Sequence, residues 1–235
     1  GFFNNKLTGA MNYYYNQTEE LLITKALPPS AGLNNPILNV GKIRNSGVEV
    51  EINWADSKGG FDYNIGMNFS TTKNKVVELA DKGQVLYGEG LKYGTEHFPT
   101  QTRVGKPIGA FYLYKTNGLF QSNEEARQYV NADGDEYQPF ADAGDIRYVD
   151  VNGDGYIDDD DKVYCGSGIP TLEVNLNFSA GYKGFDLSVV LGSAWGHKIY
   201  NGNKYFYEGM NSGSNFLTSS LNAWTPQNTN TNIPR

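Results

Sequence analysis

The sequence predicts an all-β protein: a partial transmembrane antiparallel β-barrel with long extracellular loops that carry short helices. Three observations predict it. Apolar and polar residues alternate strictly over several stretches, the period of a strand with one greasy and one wet face. Short turns alternate with long connections, the layout of outer-membrane barrels. The 235 residues include 28 Gly, 17 Tyr and 12 Phe, a composition suited to turns, sheets and interfacial aromatic belts rather than to helix bundles.

The first strand is expected from Lys6 to Tyr15, with Leu7, Met11, Tyr13 and Tyr15 on one parity and Lys6, Thr8 and Asn12 on the other. A polar connection holding Pro28, Pro29, Gly32, Asn34, Asn35 and Pro36 breaks it. The second strand is expected from about Gly41 to Trp54, and it ends on Val48, Val50, Ile52 and Trp54 set against Glu49, Glu51 and Asn53. A short turn, Ala55 to Gly60, leads to a third, in which Phe61, Tyr63, Ile65, Met67 and Phe69 alternate with polar or small residues. Residues 102–119 hold a turn at Gly105-Lys106-Pro107 and an aromatic strand with Phe111, Tyr112 and Tyr114. A helix is expected from Asn123 to about Asn131, capped by Ser122 with Glu125 at the capping-box position. Another is expected from Asn215 to Trp224, stopped by Pro226.

The sharpest hairpin lies near the end of the chain. Leu172, Val174, Leu176, Phe178, Ala180 and Tyr182 lead into a two-residue turn, Lys183-Gly184. Phe185, Leu187, Val189 and Leu191 return on the apolar parity. A two-residue turn pairs Tyr182 with Phe185, so both apolar sets share one face. Aromatic residues bracket the short turns, as an interfacial girdle requires. A soluble β-sandwich would alternate in the same way, so the pattern favours the barrel and keeps the sandwich as the alternative.

The formal net charge of −7 argues against nucleic acid as a partner, since phosphate recognition needs clustered Lys and Arg. A single cysteine, Cys165, excludes an intrachain disulfide. No apolar run is long enough for a transmembrane helix. The start at Gly1 and the Asn-rich end at Arg235 lead us to expect a piece of a longer protein.

One motif carries sharp chemistry. Asp150, Asn152, Asp154, Tyr156, Asp158 and Asp161 occupy the oxygen-bearing positions of an EF-hand type of calcium loop, with Gly155 at the bend and Ile157 as apolar anchor. Asp161 stands where Glu is usual, and the flank from Asp145 to Val149 reads as extended. A structural Ca2+ clip is therefore expected rather than a switch. The alternative is an acidic, solvated turn without an ion, in which the carboxylates would repel one another.

In order along the chain, several runs resemble SusC/RagA-like TonB-dependent importers. They are Tyr13 to Leu22, Asn39 to Glu49 with its glycines Gly41 and Gly47, Arg103 to Tyr112, Gly144 to Gly155, and Asn177 to Ser188. The resemblance implies that residues 1–235 are a fragment of the C-terminal half of a barrel of about 22 strands, supplying about seven. Residues 144–168 would be a calcium-loop-like extracellular insertion. It also implies a Gram-negative, Bacteroidetes-like outer-membrane location and import of oligosaccharides or peptides. The partners implied are a SusD-like surface lipoprotein acting as a lid, and TonB acting through a plug domain not visible in this sequence.

On that reading the wet face, with Asn64, Asn68, Glu173, Asn175 and Asn177, lines an aqueous lumen, and outer-membrane lipid meets the other face. The alternative function is a soluble, calcium-stabilised β-sandwich that binds glycans or mediates adhesion, with Tyr87, Tyr93, Phe98, Tyr200, Tyr205 and Tyr207 as stacking platforms. An enzyme is not expected. His97 and His197 lack an evident nucleophile or metal partner, Glu49 and Glu51 sit more naturally as lumen charges, and nothing basic activates Cys165.

Overall fold

The computed structural model describes residues 1–24, 37–88, 98–208 and 215–235. The expected breakers Pro28, Pro29, Gly32, Asn34, Asn35 and Pro36, and also Tyr93 and His97, lie outside the described residues. In chain order the elements are β1 (Leu7–Thr24), β2 (Ile37–Lys58), β3 (Phe61–Thr71), β4 (Lys73–Glu78), β5 (Val85–Tyr87), β6 (Thr100–Arg103), β7 (Ala110–Tyr114), β8 (Thr116–Leu119), α1 (Asn123–Arg127), β9 (Ile146–Tyr148), β10 (Lys162–Gly166), β11 (Leu172–Tyr182), β12 (Phe185–Trp195) and α2 (Gly202–Glu208). They fall into two compact units, Gly1–Phe111 with Gly166–Lys198, and Tyr112–Cys165 with Ile199–Arg235.

The first unit is built on an antiparallel sheet ordered β1-β2-β3-β11-β12, with β4 also paired to β2. Against the expected seven or so strands, this sheet holds six. Two of its turns are two-residue hairpins whose central residues all have positive φ: Gly59 and Gly60 (61° and 79°), and Lys183 and Gly184 (49° and 82°). That is the turn geometry whose twist matches paired strands. The Lys58–Phe61 and Tyr182–Phe185 closing pairs follow from it. β3 then pairs with β11 across an excursion of about a hundred residues.

β1 and β2 run well past their expected ends, to Thr24 and back to Ile37, pairing with each other through a bulge between Thr18 and Leu21. The irregularity shifts Leu21 alone out of step, opposite Gly41, and the original register resumes at Leu22 and Asn39. It turns Leu21 to the side of Ile43, where both pack on buried Val76 and Leu79 with Leu86. β5, β6 and β7 form a small antiparallel ladder that pairs Leu86 with Thr102 and Gln101 with Ala110.

In the second unit β8 and β9 pair, and a small core forms from Phe120, Ala126 and Ala141 with Tyr129 against it. α1 is shorter than expected. Ser122 Oγ accepts from Glu125 N–H at 3.1 Å as a cap should, but the Glu125 carboxylate accepts from Gln121 N–H and from Arg147 instead of closing the box on Ser122. The chain leaves the helix after Arg127 because Asn131 and Tyr129 are drawn into a tight turn, with Asn131 N–H on Asp135 O and Tyr137 N–H on Tyr129 O. The expected helix at 215–224 is a 3-10 turn, Thr218–Asn222. Trp224 N–H donates to Ile233 O rather than back along a helix.

Candidate functional site

The site is the sheet itself, because its two faces differ chemically. Directly opposed residues in an antiparallel sheet share a face, so the registers define rows. One face carries the row Gly9, Ile52, Met67, Leu176 and Leu191, the row Met11, Val50, Phe69, Val174 and Ser193, and the row Leu7, Trp54, Ile65, Phe178 and Val189. The other carries Ala10, Glu51, Asn68, Asn175 and Gly192, then Asn12, Glu49, Ser70, Glu173 and Ala194, then Thr8, Asn53, Gly66, Asn177 and Val190.

Among the described residues the apolar face is exposed. Met11 is 71% exposed, Phe185 81%, Leu191 57% and Trp195 61%, and Ile52, Ile65 and Val189 are also exposed. A β-sandwich buries such side chains between two sheets, and among the described residues no second sheet lies over this one. Aromatic rings edge the face at both ends. At the short-turn end Phe61 lies 6.3 Å from Tyr182 and 5.8 Å from Tyr63, and Trp54 Nε1 donates to the Tyr63 hydroxyl at 3.3 Å. At the other end Tyr13 and Trp195 share the row of Val48, Thr71 and Leu172. From Phe185 to Trp195 is ten steps, about 34 Å along a strand. Tilted by about 45°, that spans about 24 Å, the height of the apolar band of a membrane barrel.

On the polar face two hollows open. One, of about 720 Å³, is lined by Ser57, Asp62, Asn64, Ser179, Asp186 and Ser188 among others. The other, of about 250 Å³, takes in Asn12, Glu49, Glu51, Asn68 and Asn175. Glycines lie among these amides because Asn side chains lean across them: a Cβ on Gly192 would stand 3.0 Å from Asn175 Oδ1, and one on Gly66 3.2 Å from Asn53 Oδ1.

In the second unit, the residues expected to hold a metal are gathered in one tight loop. Asp150 accepts from Gly153 N–H (2.6 Å) and Gly155 N–H (3.0 Å), Asn152 Oδ1 from Asp154 N–H, Asp154 Oδ1 from Tyr156 N–H, and Asp158 Oδ1 from Asp160 N–H. Gly155 takes φ 92° at the bend, the left-handed conformation that a loop glycine supplies. Asp161 is fully buried and accepts from Val151 N–H (2.7 Å) and Asp158 N–H (2.8 Å). The donors are hard oxygens throughout, which suits calcium. Among the described residues, however, no three His, Cys, Asp or Glu side chains converge on one metal position; the carboxylates face backbone N–H groups.

Burial works to raise the Asp150 carboxyl, but the donors Gly155 and Gly153 and the Tyr137 hydroxyl outweigh it and hold it below the usual carboxylate range. Beside the loop the Lys162 ammonium lies 2.6 Å from Asp159 Oδ1, outside hydrogen-bond angles, and 5.1 Å from the Tyr114 ring centroid. Burial and then the Asp159 charge push the Tyr114 phenol up.

The same unit holds a cleft of about 920 Å³ walled by Phe140, Tyr148, Tyr200, Tyr205 and Pro234 among others. Its charges are paired with each other: Lys204 with Glu208 at 3.2 Å and Arg235 with Asp145 at 2.8 Å. The sequence singled out Tyr200 and Tyr205 without Phe140 or Tyr148, whose place beside them depends on contacts distant in sequence. His197 has a buried Nδ1 without a hydrogen-bond partner among the described residues, and Cys165 is exposed with its thiol on Val163 O.

No protein-family model matches the chain. It is 31% identical to TonB-dependent receptor P3 of Formosa agariphila over 99% of this chain and 23% of that protein. It is 24% identical to TonB-dependent receptor SusC of Bacteroides thetaiotaomicron over 94% of this chain and 20% of that protein. Among solved structures it is similar to the RagAB peptide transporter, with a TM-score of 0.69 at 22% identity over 99% of this chain and 24% of that one. The chain thus spans about a quarter of the length of the proteins it matches. Motif order, two-faced sheet and likeness agree, and the chain belongs, as a segment, to the SusC/RagA-like TonB-dependent transporters.

Proposed function

We propose that this segment is part of the wall of an outer-membrane importer, with the apolar face against lipid and the polar face against an aqueous lumen. One observation carries the reading: over the six rows that start at Leu7 to Asn12, five strands keep one register, with the apolar residues on one exposed face and the carboxylates and amides on the other. In a membrane this arrangement satisfies every strand at once. The long connections then lie outside the cell, where they meet oligosaccharide or peptide and a SusD-like lid lipoprotein. Energy comes from TonB through a plug that these residues do not include. In the second unit, the aromatic cleft is the surface this reading gives to the ligand: rings for contact, with charges already neutralised in pairs.

Cysteine labelling in whole cells tests the reading. In the full-length protein, in a Cys165→Ser background, Asn175→Cys and Asn68→Cys are expected to react with a water-soluble maleimide, and Ile52→Cys and Val189→Cys to resist it. The reverse pattern would end the proposal.

We propose further that the loop from Asp150 to Asp161 takes one Ca2+ as a structural clip. The ligand spacing, the positive φ of Gly155 and the crowding of carboxylates support it.

A further inference from the structure

The apolar face changes character at its long-loop end. Beyond the row of Tyr13 and Trp195, the same face continues through Tyr15, Ser46 and Lys73, and then through Gln17, Arg44 and Lys75. β3 and β4 keep one register against β2, so Lys73 and Lys75 stay on the side of Phe69 and Thr71. Arg44 and Lys75 are directly opposed, and Lys73 is diagonal to Arg44. Like charges set opposite each other on a sheet repel, so this cluster calls for an anion.

The protein itself does not supply one. Among the described residues, no carboxylate pairs with Arg44, Lys73 or Lys75. Arg44 lies 4.9 Å over the Tyr15 ring and donates to Gln17 Oε1 at 3.2 Å, while its Nε is buried without a partner. Both lysines are exposed. Of the acids farther along, Glu78 pairs with Lys42 at 3.1 Å, and Glu19 accepts from the Gln17 amide at 2.6 Å and acts on Lys42; neither Glu19 nor Glu20 forms an ion pair with the three cations among the described residues. Three uncompensated cations stand together in a chain of net charge −7.

We propose that Arg44, Lys73 and Lys75 bind the phosphate groups of outer-leaflet lipid headgroups. The proposal rests on the reading that the apolar face meets hydrocarbon. The level fits: Lys73 is one row and Lys75 two rows beyond the aromatic edge, about 7 and 14 Å along the strand, where headgroups begin. The chemistry fits, because a guanidinium and two ammonium groups together satisfy phosphate oxygens. Continuity selects a lipid over a free anion: the acyl chains of a lipid held here would pass Tyr13 and Val48 and lie on Met11, Val50 and Phe69 below them. The short-turn end differs, since Lys6 there pairs with Asp56 at 2.7 Å.

The full-length protein in detergent is incubated with phosphorylated lipid A or with the same lipid after dephosphorylation, and retained lipid is counted by native mass spectrometry. The wild type is expected to keep the phosphorylated form selectively, and R44Q/K73Q/K75Q to lose at least about tenfold in retention. The single variants K73Q and K75Q, which do not disturb the Tyr15 stack, are expected to lose part of it. Equal retention by wild type and variants, or of the two lipids, overturns the proposal. Displacement by inorganic phosphate alone overturns the lipid assignment. A fluorophore on Leu191→Cys, in the Cys165→Ser background, reports the face separately through quenching by brominated acyl chains. Quenching with unchanged lipid retention sinks the headgroup proposal alone, and absence of quenching sinks the membrane reading.

Discussion

The Tyr14 hydroxyl donates to the carbonyl oxygen of Thr71 at 2.9 Å, and the two atoms close over the bare α-carbon of Gly47. This is the point where β2 passes from β3 to β4. Thr71 Oγ1 accepts from Val48 N–H at 2.9 Å, and the Tyr14 hydroxyl also meets Thr72 Oγ1 at 3.0 Å. A Cβ at position 47 would overlap the Thr71 carbonyl oxygen and stand 2.6 Å from the Tyr14 hydroxyl. The blocking atom is backbone, so it cannot rotate away. Gly47→Ala is expected to destabilise the full-length barrel by about 1–3 kcal/mol, and Tyr14→Phe by about 1 kcal/mol. The temperature at which the folded form gives way to the slower-migrating unfolded form on gels measures both, and an unshifted Gly47→Ala would refute the account.

Leu191 and Val190 are adjacent, apolar and exposed, yet opposite outcomes are expected when each is made arginine. Leu191 shares the row of Leu176, Met67 and Ile52, midway between the aromatic edges, whereas Val190 faces the side of Asn177. Leu191→Arg places a charge near the bilayer centre and is expected to cost about 2–4 kcal/mol. Val190→Arg meets water and amides and is expected to change little. Chemical unfolding of both variants in lipid vesicles decides, and equal sensitivity would mean that the two faces share one environment.

Much of this was legible because a strand's period is two and a two-residue turn leaves no freedom of register. The 172–191 hairpin follows from Lys183-Gly184 residue by residue, and the apolar parity of Val48 to Trp54 and Phe61 to Phe69 needed no structure. What escaped depends on partners remote in sequence. The pairing of β3 with β11 skips about a hundred residues and leaves no local trace. The basic row escaped because Lys73 and Lys75 join the face only once β4 is known to continue the register of β3. The helix expected at 215–224 lost to a distant competitor, the Ile233 carbonyl that holds Trp224 N–H at 2.9 Å. The acidic loop was legible as a loop, since its turns are local, but the inward burial of Asp161 was not.

The acidic loop should loosen in acid even without metal. The Asp150 carboxyl is held below its ordinary value in the folded chain, with Gly153 and Gly155 N–H groups on its oxygens. A depressed folded pKa contributes stability that is fully present above the unfolded value of about 3.9. That stability is lost as pH falls through the folded value. Hydrogen–deuterium exchange at 150–156, corrected for intrinsic rates and run with chelator, should accelerate below about pH 4 in the wild type. Asp150→Asn should remove that dependence. A pH-independent opening in the wild type would contradict the assignment.

Calcium offers the stricter test of the same loop, because two kinds of support can be separated at Asp161. Its buried oxygens hold Val151 and Asp158 N–H groups directly, so Asp161→Ala should weaken the loop by about 1–3 kcal/mol with chelator present. Asp154 lies toward solvent: its Oδ1 accepts from the neighbouring Tyr156 N–H and its Oδ2 from the exposed Asn152 side-chain amide, so water can replace both donors. Asp154→Ala should therefore cost less without metal and more with it. If a cation binds, a free concentration of about 100 times the dissociation constant adds about 2.7 kcal/mol to the folded loop, an increment that Asp154→Ala should largely abolish. Calorimetry should give one site per chain in the wild type. An Asp154→Ala loss that is the same in calcium and in chelator would leave the loop as a set of carboxylate-capped turns and remove the ion from the account.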